Sequence, residues 1–194
     1  MTLCIMSRIR YNAPVFGPIH FTHEVFFMGR LGDLMSMLAE RRLGFQMDEV
    51  MTGTHQFEPE HGETGEKFME FRGSWGPKHI TEFVNPLGGK FLFNDLNGYV
   101  DVEGLCENTP MSGSLELLYF TEAKIRYTFE FEVNGKEYLY IGEKRDIRPW
   151  NLHRTHTTCY GTLSEKLTGR VVSRSITYFR IKTAPKFMLS FRLA

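Results

Sequence analysis

The chain has 194 residues and a mass of 22.6 kDa, enough for one domain with a sizeable core. Lysine plus arginine and aspartate plus glutamate both total 23, so no net charge draws it to nucleic acid or to an anionic membrane. Aromatic residues make up 14% of the chain, a share that suits pleated, half-buried surfaces and excludes a disordered chain.

Residues 1–29 are rich in aromatic and aliphatic side chains without a period, punctuated by Pro14, Gly17 and Pro18. They read as an arm across the domain. The start lacks the order and length of a signal peptide, and no window approaches the ~20 apolar residues of a membrane span. Leu31, Leu34, Met35 and Leu38 follow at helical spacing, with Gly44 placed as a C-terminal cap. Residues 1–44 are therefore expected to form an arm and an amphipathic helix packed on a β-barrel of residues 45–194.

Strands are predicted from Phe45 to Phe57 and from Phe68 to Trp75, with a short helix or irregular crossing at His79 to Val84. A third and fourth strand are predicted at Lys90 to Phe93 and Tyr99 to Glu103, with Asn97-Gly98 as the hairpin turn between them. Ser114 to Phe120, Lys124 to Val133, Lys136 to Asp146, Thr155 to Ser164 and Arg170 to Arg180 complete the set. The sum is about eight or nine antiparallel strands joined by short turns, the arithmetic of a mainly β, closed up-and-down barrel with an N-terminal helix. Lys186 to Phe191 is a terminal apolar segment of one or two helical turns.

The clearest element is the hairpin of Lys124 to Lys144. Ile125, Tyr127, Phe129, Phe131 and Val133 alternate strictly with polar residues, and Asn134-Gly135 is a two-residue turn signal. Such a loop fixes the register: Phe131 faces Tyr138, Phe129 faces Tyr140, Tyr127 faces Gly142 and Ile125 faces Lys144. Arg126 meets Glu143 on the other face, while Glu132 opposite Glu137 is an unfavourable pair. On the outer face, Leu139 and Ile141 call for cover from the helix or from a partner, a homodimer among them.

Two charges are expected on the inward faces. Glu49 shares a face with Met47, Met51 and Gly53, and Lys144 ends the aromatic face of the hairpin. A lone charge in an apolar lumen is costly, so the two are expected either to pair there or to sit at a solvated rim. No metal is expected: His153, His156 and Cys159 fall at three-residue spacing, but strand geometry puts 156 and 159 on opposite faces. Three widely spaced cysteines, Cys4, Cys106 and Cys159, make a disulfide framework unexpected and point to a reducing cytoplasm. The G-x-S-x-G, P-loop and G-x-G-x-x-G patterns are all absent, so no cofactor is expected.

Several motifs in order carry a resemblance. Met47-Asp-Glu-Val-Met51-Thr-Gly53, Arg126-Tyr127, Asn134-Gly135-Lys-Glu-Tyr138, Gly142-Glu-Lys144, Trp150, His156-Thr-Thr-Cys-Tyr160 and Ser190-Phe191-Arg192 resemble a lipocalin-like, calycin-type barrel module. This module accompanies cholesterol-oxidase-like oxidoreductases of the glucose–methanol–choline superfamily. The likeness runs from about Phe45 to Arg192 and implies a barrel, an apolar ligand and an oxidoreductase partner. It implies no catalytic residue, because the sequence holds no flavin-binding domain, and His156 stands where the family more often has threonine.

The expected function is binding of a lipid- or sterol-like molecule in the lumen. The expected walls are Met51, Phe71, Trp75, Tyr127, Phe129 and Tyr140, with Glu49 and Lys144 as polar contacts. Two alternatives stand beside it. One is an accessory subunit of a flavin oxidoreductase with a filled barrel. The other is a small lipid-modifying enzyme using Glu49 and Lys144 for proton transfer.

Overall fold

A computed structural model describes residues 36, 43–147, 157–179 and 192–193. The chain divides into two units, Met1–Ser36 and Met37–Ala194, and all the described residues except Ser36 belong to the second. Apart from Ser36, the predicted helix around Leu31–Leu38 lies outside the described residues, as do the segments holding Trp150, His153, His156 and Lys186–Phe191.

Eight long strands follow one another: β1 (Phe45–Phe57), β2 (Lys67–Gly76), β3 (Phe93–Val102), β4 (Cys106–Leu118), β5 (Lys124–Val133), β6 (Lys136–Lys144), β7 (Thr158–Glu165) and β8 (Val171–Phe179). A single helical turn, α1 (Ile80–Phe83), interrupts the β2–β3 connection, and β9 (Arg192–Leu193) is a short addition beside β1. Each of the eight long strands pairs antiparallel with the long strands next to it in sequence, and β1 pairs with both β2 and β8. The sheet therefore closes into an eight-stranded up-and-down barrel, which leaves none of these strands with an open edge along its full length.

The β5–β6 hairpin has the register the sequence dictates. Tyr127 pairs with Gly142, Phe129 with Tyr140, Phe131 with Tyr138 and Ile125 with Lys144. Asn134 and Gly135 take φ values of 51° and 78°, the left-handed pair that matches a two-residue turn to the strand twist. Arg126 and Lys124 both reach the Glu143 carboxylate on the outer face, at 3.2 and 3.0 Å.

One turn was misplaced by the sequence reading. Asn97-Gly98 is not a hairpin turn: it lies within the continuous strand β3, where Asn97 pairs with Ser74 and Ser112 and Gly98 pairs with Gly73 and Met111. Gly98 is there because the strands crowd. A Cβ at that position would lie 1.9 Å from the Arg72 carbonyl oxygen. The predicted fourth strand is thus the later part of β3, whereas of the predicted third strand only Phe93 belongs to it and Lys90 to Leu92 are turn. The reversal comes later, at Glu103 to Leu105, with Gly104 at φ 85°, and β4 starts eight residues earlier than predicted.

Because the strands alternate in direction, one end of the barrel collects the start of the odd strands and the finish of the even ones. That end carries the long β2–β3 and β6–β7 connections. The other carries the tight turns, Asn134-Gly135 among them. Inward residues form one apolar core running through the barrel, including Met51, Met69, Phe71, Leu96, Val100, Leu115, Phe129, Tyr140 and Leu163.

Candidate functional site

The barrel interior is closed at mid-height by aromatic rings. Phe71 comes from β2, which stands opposite β6 in the eight-strand ring, and its ring centroid lies 5.3 Å from Phe129 and 5.7 Å from Tyr140. Phe129 and Tyr140 stack at 4.6 Å with their planes 24° apart. Offset contacts of this kind add about 0.5–1.5 kcal/mol per pair beyond the area they bury. The Tyr140 hydroxyl shares a 3.1 Å hydrogen bond with that of Ser175 on β8, which satisfies its polar tip inside the core. Met51 and these rings are all almost completely buried.

Toward the end where β1 begins, the lumen is bridged by polar groups instead. Glu49 on β1 accepts three hydrogen bonds. Lys144 Nζ on β6 donates to Oε1 at 2.7 Å; the Tyr127 hydroxyl on β5 and Trp75 Nε1 on β2 donate to Oε2 at 3.0 and 3.2 Å. The Lys144 and Glu49 side chains are only 4% and 8% exposed. β5 stands opposite β1, so this cluster spans the barrel from wall to wall. The Lys144 ammonium also lies 5.2 Å from the centre of the Tyr127 ring and 5.7 Å from that of Phe179. Phe71 touches the Tyr127 ring at 5.5 Å, so the polar bridge rests directly on the aromatic layer.

Above the bridge lies a cup of about 300 Å³, lined by Met47, Glu49, Trp75, Leu115, Leu117, Tyr119, Ile125, Tyr127, Lys144 and Phe179. Glu49 and Lys144 are its charged residues. Burial, followed by the nearby Glu49 charge, pushes the Tyr119 hydroxyl up to about 12 and holds that of Tyr127 well above the usual phenol range. Both are neutral hydroxyls at physiological pH. Burial likewise pushes the Cys159 thiol, below the cup, up to about 12, which makes it a poor nucleophile.

The eight residues singled out in the sequence therefore fall into two layers. Glu49, Trp75, Tyr127 and Lys144 line the cup; Met51, Phe71, Phe129 and Tyr140 fill the barrel beneath it. Sequence reasoning missed Met47, Leu115, Leu117, Tyr119, Ile125 and Phe179 as cup wall. The alternation of Leu115, Leu117 and Tyr119 was the available signal. Placing it needs the β4–β5 register, in which Leu115 faces Tyr127 and Leu117 faces Ile125. At the other end of β1, His55 is buried with Nε2 donating to the Glu103 carbonyl at 3.1 Å, and burial lowers its pKa, so it is a neutral core residue.

Comparison of the chain with known protein families, curated proteins and solved structures found no match. Among the described residues, no group of three or more His, Cys, Asp or Glu is placed to hold a metal ion, and no helix is long and apolar enough to cross a membrane.

Proposed function

We propose that the chain binds an apolar or amphipathic small molecule, lipid- or sterol-like, with its polar end on the floor of the cup. The observation that carries this reading is the Glu49 cluster: a buried ion pair with two further donors, set at the base of an otherwise apolar concavity. Ligand pockets combine apolar walls with a few placed polar groups in volumes of roughly 300–1,000 Å³, and the cup sits at the lower limit of that range. Glu49 and Lys144 are assigned to orienting the ligand, not to turnover. The likeness to lipocalin-like modules agrees with this use of a barrel. The free thiols of Cys106 and Cys159 suit a reducing cytoplasm.

A second reading is an accessory subunit of a flavin oxidoreductase, with the barrel as scaffold. The observation in its favour is the packed aromatic layer of Phe71, Phe129 and Tyr140, which leaves the middle of the barrel to the protein's own side chains.

Native mass spectrometry of gently purified protein, followed by organic extraction, separates the two. A stoichiometric apolar molecule released on extraction is the expected result. Protein that carries nothing and then fails to bind an apolar fluorescent probe would overturn the container reading and leave the accessory subunit.

A further inference from the structure

We infer that the cup selects an uncharged head group that accepts a hydrogen bond, an alcohol or a ketone, over a carboxylate or an amine of the same chain length. This inference rests on the ligand-binding reading above and adds the chemical class of the ligand.

The argument starts from the charge balance of the cup. Its charged lining is one carboxylate and one ammonium in contact, Glu49 and Lys144, so the site is already neutral. Adding a charged head group would bury a net charge, which costs far more than burying a polar neutral group that finds a partner. The donors and acceptors then decide which neutral group fits. Glu49 is well supplied, with donors from Lys144, Tyr127 and Trp75. Lys144 is not: an ammonium has three protons, and among the described residues its one hydrogen-bond acceptor is Glu49. Its other neighbours are the faces of Tyr127 and Phe179, which attract a cation but accept hydrogen bonds weakly. The polar capacity left on the cup floor is therefore N–H donation, and it calls for an oxygen.

A ligand hydroxyl or carbonyl oxygen meets that need without changing the charge. A carboxylate would also reach Lys144, but it would have to sit beside an ammonium whose other partner, 2.7 Å away, is the Glu49 carboxylate. The two anions repel at a floor whose charged side chains are only 4% and 8% exposed, where solvent screens them less than at the surface. An ammonium would meet Lys144 itself, with Glu49 already holding three donors. Both rejections come from repulsive elements built into the floor. Tyr119 and Tyr127 add no charge that would alter the balance, since burial keeps both protonated.

The test is competition for a bound apolar fluorescent probe by dodecanol, the matching methyl ketone, dodecanoate and dodecylamine, all near neutral pH. Dodecanol and the ketone are expected to displace the probe at concentrations about tenfold below those of the two charged competitors. Dodecanoate binding as tightly as dodecanol would overturn the inference while leaving a ligand-binding cup. If neither the probe nor any competitor bound, both the inference and the reading beneath it would fall. Glu49→Gln supplies an independent check, because it removes the anion and leaves the ammonium. The ratio of dodecanoate to dodecanol affinity should then rise about tenfold. An unchanged ratio in a folded Glu49→Gln protein would contradict the charge argument.

Discussion

Two layers of the same lumen are closed in different ways. In the middle, Phe71, Phe129 and Tyr140 meet from facing strands and hold each other by ring contact. One layer nearer the start of β1, the bridge from wall to wall is Glu49 with Lys144, Tyr127 and Trp75. Ring packing is tolerant of direction and fills volume. A hydrogen-bonded ion pair is directional and spans the barrel with few atoms, so the side chains above it are left standing against the walls. The cup exists because the last bridge across the lumen is polar and thin. The contrast also separates roles: the aromatic layer should govern stability, and the polar bridge should govern what binds.

The largest effect should come from the aromatic layer. Phe129→Ala leaves a cavity among fully buried rings and is expected to cost about 3–5 kcal/mol, read from the shift in denaturant midpoint. A loss near ~1 kcal/mol would mean that the middle of the barrel is loosely packed, and the contrast between layers would disappear.

Next comes the ion pair. Lys144→Met leaves the Glu49 carboxylate, whose side chain is only 8% exposed, without its counter-charge and should cost about 3 kcal/mol. The double variant Glu49→Leu with Lys144→Met should recover most of that stability in thermal melts, because it removes both charges together. Equal losses in the single and double variants would mean that Lys144 contributes through packing alone.

Alkaline titration distinguishes neither layer by itself, but Tyr119 ties part of it to the cup. A phenol with a raised folded-state pKa is ionised in the unfolded chain first, so the unfolded state binds fewer protons and stability falls as pH rises. For Tyr119 the window runs from the ordinary 10.0 to about 12, and for Cys159 from 9.0 to about 12. Tyr119→Phe should make the decline in melting temperature above pH 10 shallower. An identical decline in the variant would show that Tyr119 ionises as easily when folded as when unfolded.

The sequence carried the hairpin and the two inward charges, and it did so for local reasons. Strict alternation with Asn134-Gly135 leaves one register for β5 and β6, and that register puts Lys144 on the aromatic face. Glu49 was visible because it interrupts a run of methionines on the inward face of β1. The same turn signal misled at Asn97-Gly98, where the glycine answers to the Arg72 carbonyl of a neighbouring strand instead of to a reversal of the chain. The division of the lumen into a filled layer and a cup was not legible either. Which inward residues share a height depends on the stagger between strands, and neither the stagger nor the β4–β5 register is written in any local pattern. Phe71 and Trp75 both lie on the inward face of β2. Yet one is buried among rings and the other lines the cup and reaches Glu49.

The smallest change to the fold should give the clearest answer about binding. Leu117→Trp adds bulk to the wall of the cup, above the polar bridge and away from the aromatic layer. It should leave folding stability within ~1.5 kcal/mol of the parent protein. The decisive measurement is titration of an apolar fluorescent probe into both proteins under the same conditions. The account predicts saturable, one-to-one binding to the parent chain and its loss in a Leu117→Trp protein that melts within a few degrees of the parent. Equal binding to the two would place the ligand somewhere other than the cup and contradict the account.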